Sequence, residues 1–129
     1  IQSRKKIIFI MVEKSILKSF IAYAADHPFP IQNIPFGVFI PNKDHLRRPR
    51  CGTRIGDFVI DLDALEAKGY FKGERFEALK KDGKSVFNHK TLNYFMSLGK
   101  PYWREARTTI QQLFAADGGV KDDMEFRNL

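Results

Sequence analysis

The sequence predicts an α+β fold, a small, partly open β-barrel followed by helices. Three observations predict it: a proline-rich apolar stretch at residues 28–39, a strand–turn–strand pattern at residues 50–62, and a change to helical spacing after that. Strands come first along the chain and helices second, which is the order of an α+β unit.

Residues 28–39 read PFPIQNIPFGVF. Proline fixes φ, removes an amide donor and biases its predecessor toward extended geometry, so Pro28, Pro30 and Pro35 exclude a helix and predict an extended path. Phe29, Ile31, Ile34, Phe36, Val38 and Phe39 supply apolar surface for that path to bury. A short strand is expected over residues 37–40, ending at Pro41, and a polar loop over residues 42–49. Next, Cys51, Thr53 and Ile55 alternate, Gly56 and Asp57 offer a turn, and Phe58, Ile60 and Leu62 alternate again. Period two on both sides of a Gly-Asp pair predicts a β-hairpin with one buried face.

After the hairpin, Asp63 is expected to cap a short helix over residues 64–68, with Glu66 completing a capping-box pattern and Gly69 ending it. Residues 71–85 are charged and hold Gly73 and Gly83, which predicts a surface segment with a short helix over Glu74–Lys81. Asn88 is expected to cap a stronger helix with Leu92, Phe95 and Met96 on one face, stopped by Gly99. Pro101 suits the first position of the last main helix, whose apolar stripe is Trp103, Ala106, Ile110, Leu113 and Phe114. Gly118 and Gly119 end it, and a final helical turn is expected from Asp122.

Bulk properties bound the rest. A chain of 129 residues with 43% hydrophobic content and twelve phenylalanines can bury one core, so a single domain is expected. The net charge of +7 raises the possibility of an anionic partner. Arg4, Lys5 and Lys6 supply three of those charges, leaving +4 for residues 11–129, and most remaining cations alternate with acids. That distribution favours a solvated surface over a nucleic-acid patch. Six apolar residues, from Ile7 to Val12, are too few for a secretory core or a membrane span. Cys51 is the only cysteine, so no internal disulfide or cysteine-rich zinc site can form, in keeping with a reducing, cytoplasmic setting. Met11 is the expected natural start, with residues 1–10 a non-native product of cloning or translation.

No catalytic constellation emerges. His27, His45 and His89 lack metal-ligand spacing. Asp57, Asp61 and Asp63 fall on alternate positions where carboxylates share a cation, yet a turn and a helix cap explain them as well. Asp122, Asp123 and Glu125 complement a helix start. Cys51 alternates with core residues and has no local histidine to activate it. Ser15, Ser19, Ser85 and Ser97 lack a nucleophile-elbow context, and no phosphate-binding glycine loop is present. Arg47, Arg48, Arg50 and Arg54 form the densest cationic cluster, without the interleaved aromatics of a stacking platform.

Three blocks resemble the amino-terminal domain of the fumarylacetoacetase family: PFPIQNIPFGVF at residues 28–39, RIGDFVIDL at 54–62, and VFNHKTLNYFMSLGKPYWREAR at 86–107. The tail KDDMEFRNL, residues 121–129, is similar to the family's next segment. The resemblance implies an SH3-like barrel that packs against a larger catalytic domain as a scaffold or regulatory unit. It divides the chain into an extension at 1–19, the family-like domain at 20–119, and from 120 a connection to the catalytic domain. The parent would be a cytoplasmic, homodimeric hydrolase of tyrosine and phenylalanine catabolism, splitting 4-fumarylacetoacetate into fumarate and acetoacetate. Calcium or magnesium would bind the diketo substrate, and a histidine assisted by a carboxylate would activate water. The motif carrying those groups is absent here, so the resemblance assigns no catalytic, cofactor-binding or metal residue to this chain. Two alternatives stand beside it: a basic barrel that binds nucleic acid, and an interaction domain using the Trp103 helix face.

Overall fold

Alternation along residues 50–61 closes into the hairpin that organises the molecule. The computed structural model describes residues 17–42 and 45–121. Strand β1 (Phe36–Phe39) pairs antiparallel with β2 (Arg50–Ile55), which pairs antiparallel with β3 (Phe58–Asp61), in the order β1-β2-β3. Gly56 and Asp57 form the β2–β3 turn, with Ile55 opposite Phe58. Gly56 has φ +58°, which glycine adopts without the Cβ clash other residues meet, and its N–H donates to the Phe29 carbonyl at 2.7 Å. The result is an open three-stranded sheet followed by helices, an α+β arrangement consistent with a partly open barrel.

The sheet has two unlike faces. Cys51, Thr53 and Ile55 of β2 are buried and share their face with Phe36, Val38, Phe58 and Ile60 across the ladder. Val38 and Phe58 lie on outer strands and remain exposed, against the expectation that they bury. The opposite face carries Gly37, Phe39, Arg50, Gly52, Arg54 and Val59.

Residues 28–39 are not helical, as the prolines require, but they are not extended throughout. Asn33 N–H donates to the Pro30 carbonyl at 2.9 Å, placing a turn at Ile31 and Gln32 that buries Ile31 completely. Local turn geometry prevails there because burying Ile31 removes a large apolar side chain from water. Tyr23 Oη accepts from Ile31 N–H, and Gln111 donates to the Ile31 carbonyl, so both backbone groups of this buried residue are satisfied.

Helix α1 (Leu62–Ala67) begins two residues earlier than expected. Asp61, not Asp63, is its cap, and Asp61 Oδ1 accepts from Ala64 N–H at 3.1 Å. Capping at Asp61 lets Leu62 and Leu65 turn into the core, while Asp63 sits in the first turn, where a negative charge complements the helix dipole. Glu66 does not complete a capping box. Its carboxylate instead accepts from Ser85 Oγ–H at 2.6 Å, Val86 N–H at 2.8 Å and Phe87 N–H at 3.0 Å.

Helix α2 (Glu74–Lys81) matches its expected span, yet residues 71–85 are not merely surface. Phe71 and Phe76 are buried and stack at a centroid distance of 5.0 Å, and Phe71 meets Phe87 at 5.2 Å. Phe87 in turn meets Phe95 at 5.1 Å, and Phe95 meets Phe36 at 4.7 Å. This run of rings joins the sheet to the helices, each pair contributing about 0.5–1.5 kcal/mol beyond area burial.

The helix expected from Asn88 shortens to α3 (Asn93–Ser97). Amides 86–88 already donate to Glu66 and to Ser85 Oγ, and the Cys51 thiol points at the His89 and Thr91 carbonyls, so the chain there is held in another conformation. Phe95 is buried but Met96 is 59% exposed, which removes Met96 from the predicted apolar face. Helix α4 (Lys100–Phe114) follows Gly99 at φ +89°. Ala106, Ile110 and Phe114 are buried as the stripe predicts, and Trp103 Nε1–H donates to the Phe95 carbonyl at 2.9 Å. Ser19 forms an isolated bridge with Ala115, and Val120 is fully buried, so packing reaches both ends of the described chain.

Candidate functional site

The hairpin turn gathers the first group of candidate residues. His27 Nδ1 accepts from Phe29 N–H at 3.0 Å, which leaves its proton on Nε2, 3.0 Å from Asp57 Oδ1. That hydrogen bond, helped by the nearby Arg54 guanidinium, holds the Asp57 carboxyl below its ordinary range. The Arg54 guanidinium lies 4.2 Å above the Phe29 ring, and its Nε donates to the Gly56 carbonyl at 2.9 Å. Together these contacts clip the proline-rich segment to the hairpin.

A second group forms at the other end of the hairpin. Arg50 contacts Asp61 at 3.1 Å and Asp63 at 3.3 Å. Burial raises the Asp61 carboxyl above its ordinary range, although the Ala64 amide and Arg50 pull it down. Asp57 lies at the opposite end of β3, so the three aspartates do not converge. Arg47 and Arg48 are exposed, and Arg50 and Arg54 hold partners at opposite ends of the hairpin.

Cys51 is fully buried, its thiol donating toward the His89 and Thr91 carbonyls at 3.6 and 3.5 Å. Burial pushes that thiol up, and Asp63, Glu66 and Asp61 add to the effect, so the reactive thiolate is disfavoured. His89 Nε2 meets the Ser85 carbonyl at 2.8 Å, and its ring tilts onto Tyr94. His45 is exposed. Ser19 donates to Phe114, Ser85 to Glu66 and Ser97 to Tyr94, so each hydroxyl serves a structural bond. Ser15, Asp122, Asp123 and Glu125 lie outside the described residues. Among the described residues no group of three His, Cys, Asp or Glu side chains gathers as a cation would require. Nor does any helix among them have the length and apolarity to cross a membrane.

Two surface features were not anticipated. One is an open cleft of about 790 Å³ between α2 and α4, bordered by Lys72, Arg75, Arg104 and Thr108. Glu105 closes its wall by accepting from Arg75 N–H at 3.3 Å and Phe76 N–H at 3.1 Å, a cap for α2 supplied about thirty residues away. Gly73 permits this, because a Cβ there would lie 2.3 Å from the Glu105 carboxyl carbon. The other is a shallow depression of about 170 Å³ on the sheet face opposite the core, floored by Gly37 and Gly52 and bordered by Phe39, Arg54 and Val59. Its only sequence signal was a pair of glycines in strands, whose opposition becomes visible once the register is known.

The fold and these contacts define an α+β domain whose charged groups cap helices and tie segments together. The family model described as "Fumarylacetoacetase N-terminal" matches residues 32–128, and the chain belongs to that family. The chain is 47% identical over 114 residues to the fumarylacetoacetase of Dictyostelium discoideum, covering 88% of this chain and 25% of that protein. It is 44% identical over 110 residues to the human fumarylacetoacetase and 39% identical over 109 residues to that of Arabidopsis thaliana, each match covering 84% of this chain and 24% of the relative. The chain therefore spans about a quarter of the length of the curated relatives it matches.

The structure turns the Trp103 face of α4 inward, with Ala106 and Ile110 fully buried. That face is unavailable as the interaction surface considered from the sequence.

Proposed function

We propose that this chain is the amino-terminal scaffold of a fumarylacetoacetase, a hydrolase that cleaves 4-fumarylacetoacetate to fumarate and acetoacetate in tyrosine and phenylalanine catabolism. Its role is to stabilise or regulate a catalytic domain, and it holds none of the reacting groups itself. In this reading residues 20–119 are an SH3-like, partly open barrel, residues 1–19 precede it, and residues 120–129 lead into the catalytic part. The complete protein is a cytoplasmic homodimer. One observation carries the reading: a match to the family's amino-terminal model over residues 32–128, together with relatives about four times the length of the matched segment.

The chemistry of the described side chains supports a scaffold role. Calcium or magnesium, which the resemblance assigns to the complete enzyme, does not fit the carboxylates here: Asp61 and Asp63 both contact the Arg50 guanidinium, and Asp61 also caps α1. Binding of nucleic acid by the arginine cluster is disfavoured by the commitment of Arg50 and Arg54 to contacts within the fold.

Reading the transcript beyond the Leu129 codon tests the proposal. An open frame encoding a further catalytic segment with a histidine and clustered carboxylates is the expected result, and an immediate stop would overturn it.

A further inference from the structure

The open cleft between α2 and α4 carries charge that its internal contacts leave uncompensated. Pro101, Arg104, Glu105, Thr108 and Gln112 recur along α4 at intervals of three and four residues, so one face of that helix forms a wall. Lys72 and Arg75, before and within the first turn of α2, line the other side. Three cations therefore share the cleft with one carboxylate among the described residues that line it, Glu105.

Glu105 is already committed. Its oxygens accept from the Arg75 and Phe76 amides, and the Arg75 guanidinium stands 3.7 Å away, a loose pairing for a half-exposed side chain. Lys72 and Arg104 are exposed and have no ion-pair partner among the described residues. Thr108, one turn beyond Arg104, adds a hydroxyl donor, and Leu113 supplies apolar surface. A volume of about 790 Å³ accommodates a small organic molecule. Cations on two walls suit a ligand whose negative charges are separated, whereas a compact ion meets one wall at a time. Guanidinium forks match carboxylates in particular.

We propose that this cleft binds a small dicarboxylate, with one carboxylate at Arg104 and Thr108 and the other at Lys72 and Arg75. The site goes beyond the scaffold reading and does not depend on it, since it gives the domain a ligand of its own.

Isothermal titration calorimetry of the full-length protein with succinate tests this, beside propionate and inorganic phosphate. Succinate is expected to bind about fivefold or more tighter than either, because its second carboxylate engages the second wall. Arg104→Gln and Lys72→Gln should each weaken succinate about tenfold, the loss of one charge-assisted contact. Lys90→Gln removes the same charge from an exposed lysine outside the cleft and should change the affinity by less than about twofold. Thr108→Glu, which places a carboxylate one turn from Arg104, is a second route to the same loss. Absence of succinate binding by the parent would overturn the inference, as would affinity unchanged in Arg104→Gln or an equal loss in Lys90→Gln. Phosphate binding as tightly as succinate would also overturn it, by assigning the cleft to a single compact anion.

Discussion

Glu66 is the residue whose loss is expected to damage this fold most for its size. Its carboxylate accepts from Ser85 Oγ–H and from the Val86 and Phe87 amides, and Val86 and Phe87 are 1% and 0% exposed. Glu66→Ala leaves two amides at the edge of the core with no acceptor, each costing about 1.5–2 kcal/mol, for a total of about 3–4 kcal/mol. The serine hydroxyl can turn to water and adds little. Glu66→Gln keeps one acceptor oxygen but turns an NH₂ toward the other amide, so about half that loss is expected. Against a typical domain stability of roughly 5–15 kcal/mol, the alanine variant is severely weakened. Urea denaturation of the two variants and the parent measures this, with m unchanged if the native and unfolded states keep their surface areas. Near-ultraviolet circular dichroism should also change, because the Phe87 ring packs tilted between those of Phe71 and Phe95. A loss below about 1 kcal/mol in Glu66→Ala would refute the reasoning, since hydrogen bonds to a charged acceptor are rarely so weak.

Three further outcomes are expected. Gly73→Ala should displace Glu105 from the amino terminus of α2 and cost about 1–2 kcal/mol, while Gly83→Ala, with open space but φ +71°, costs about 1 kcal/mol; urea midpoints distinguish them. Thr53 Oγ1 is buried without a hydrogen-bond partner among the described residues, so Thr53→Val should raise stability by about 1 kcal/mol, read as a higher thermal midpoint. Asp61 has a folded-state pKa above its unfolded value, so the native state holds the extra proton in the window between them. Stability of the parent relative to Asp61→Asn should therefore fall as pH rises from the ordinary carboxylate value through the raised one, measured by urea midpoints across that range.

What the sequence revealed and what it concealed divide along physical lines. The β2–β3 hairpin and the buried stripe of α4 were legible because period two and period 3.6 are written in neighbouring residues. Helix α2 was legible from its flanking glycines, but the burial of Phe71 and Phe76 was not: they pack against Phe87, outside any local pattern. Glu66 and Glu105 were misread or missed for the same reason, since each satisfies amides about twenty or thirty residues away. Asp61 displaced Asp63 as a cap because Leu62 had a core to enter, a tertiary demand that propensity cannot register. For the candidate sites, the sequence correctly paired turns and caps with Asp57 and Asp61. The Gly37–Gly52 depression stayed hidden until strand register brought two glycines fifteen positions apart face to face.

The central claim is that this chain packs and stabilises while the chemistry is performed elsewhere. The most direct measurement incubates purified chain with 4-fumarylacetoacetate and calcium or magnesium, following substrate absorbance. No loss above the uncatalysed rate is expected; metal-dependent turnover by the purified chain would contradict the account.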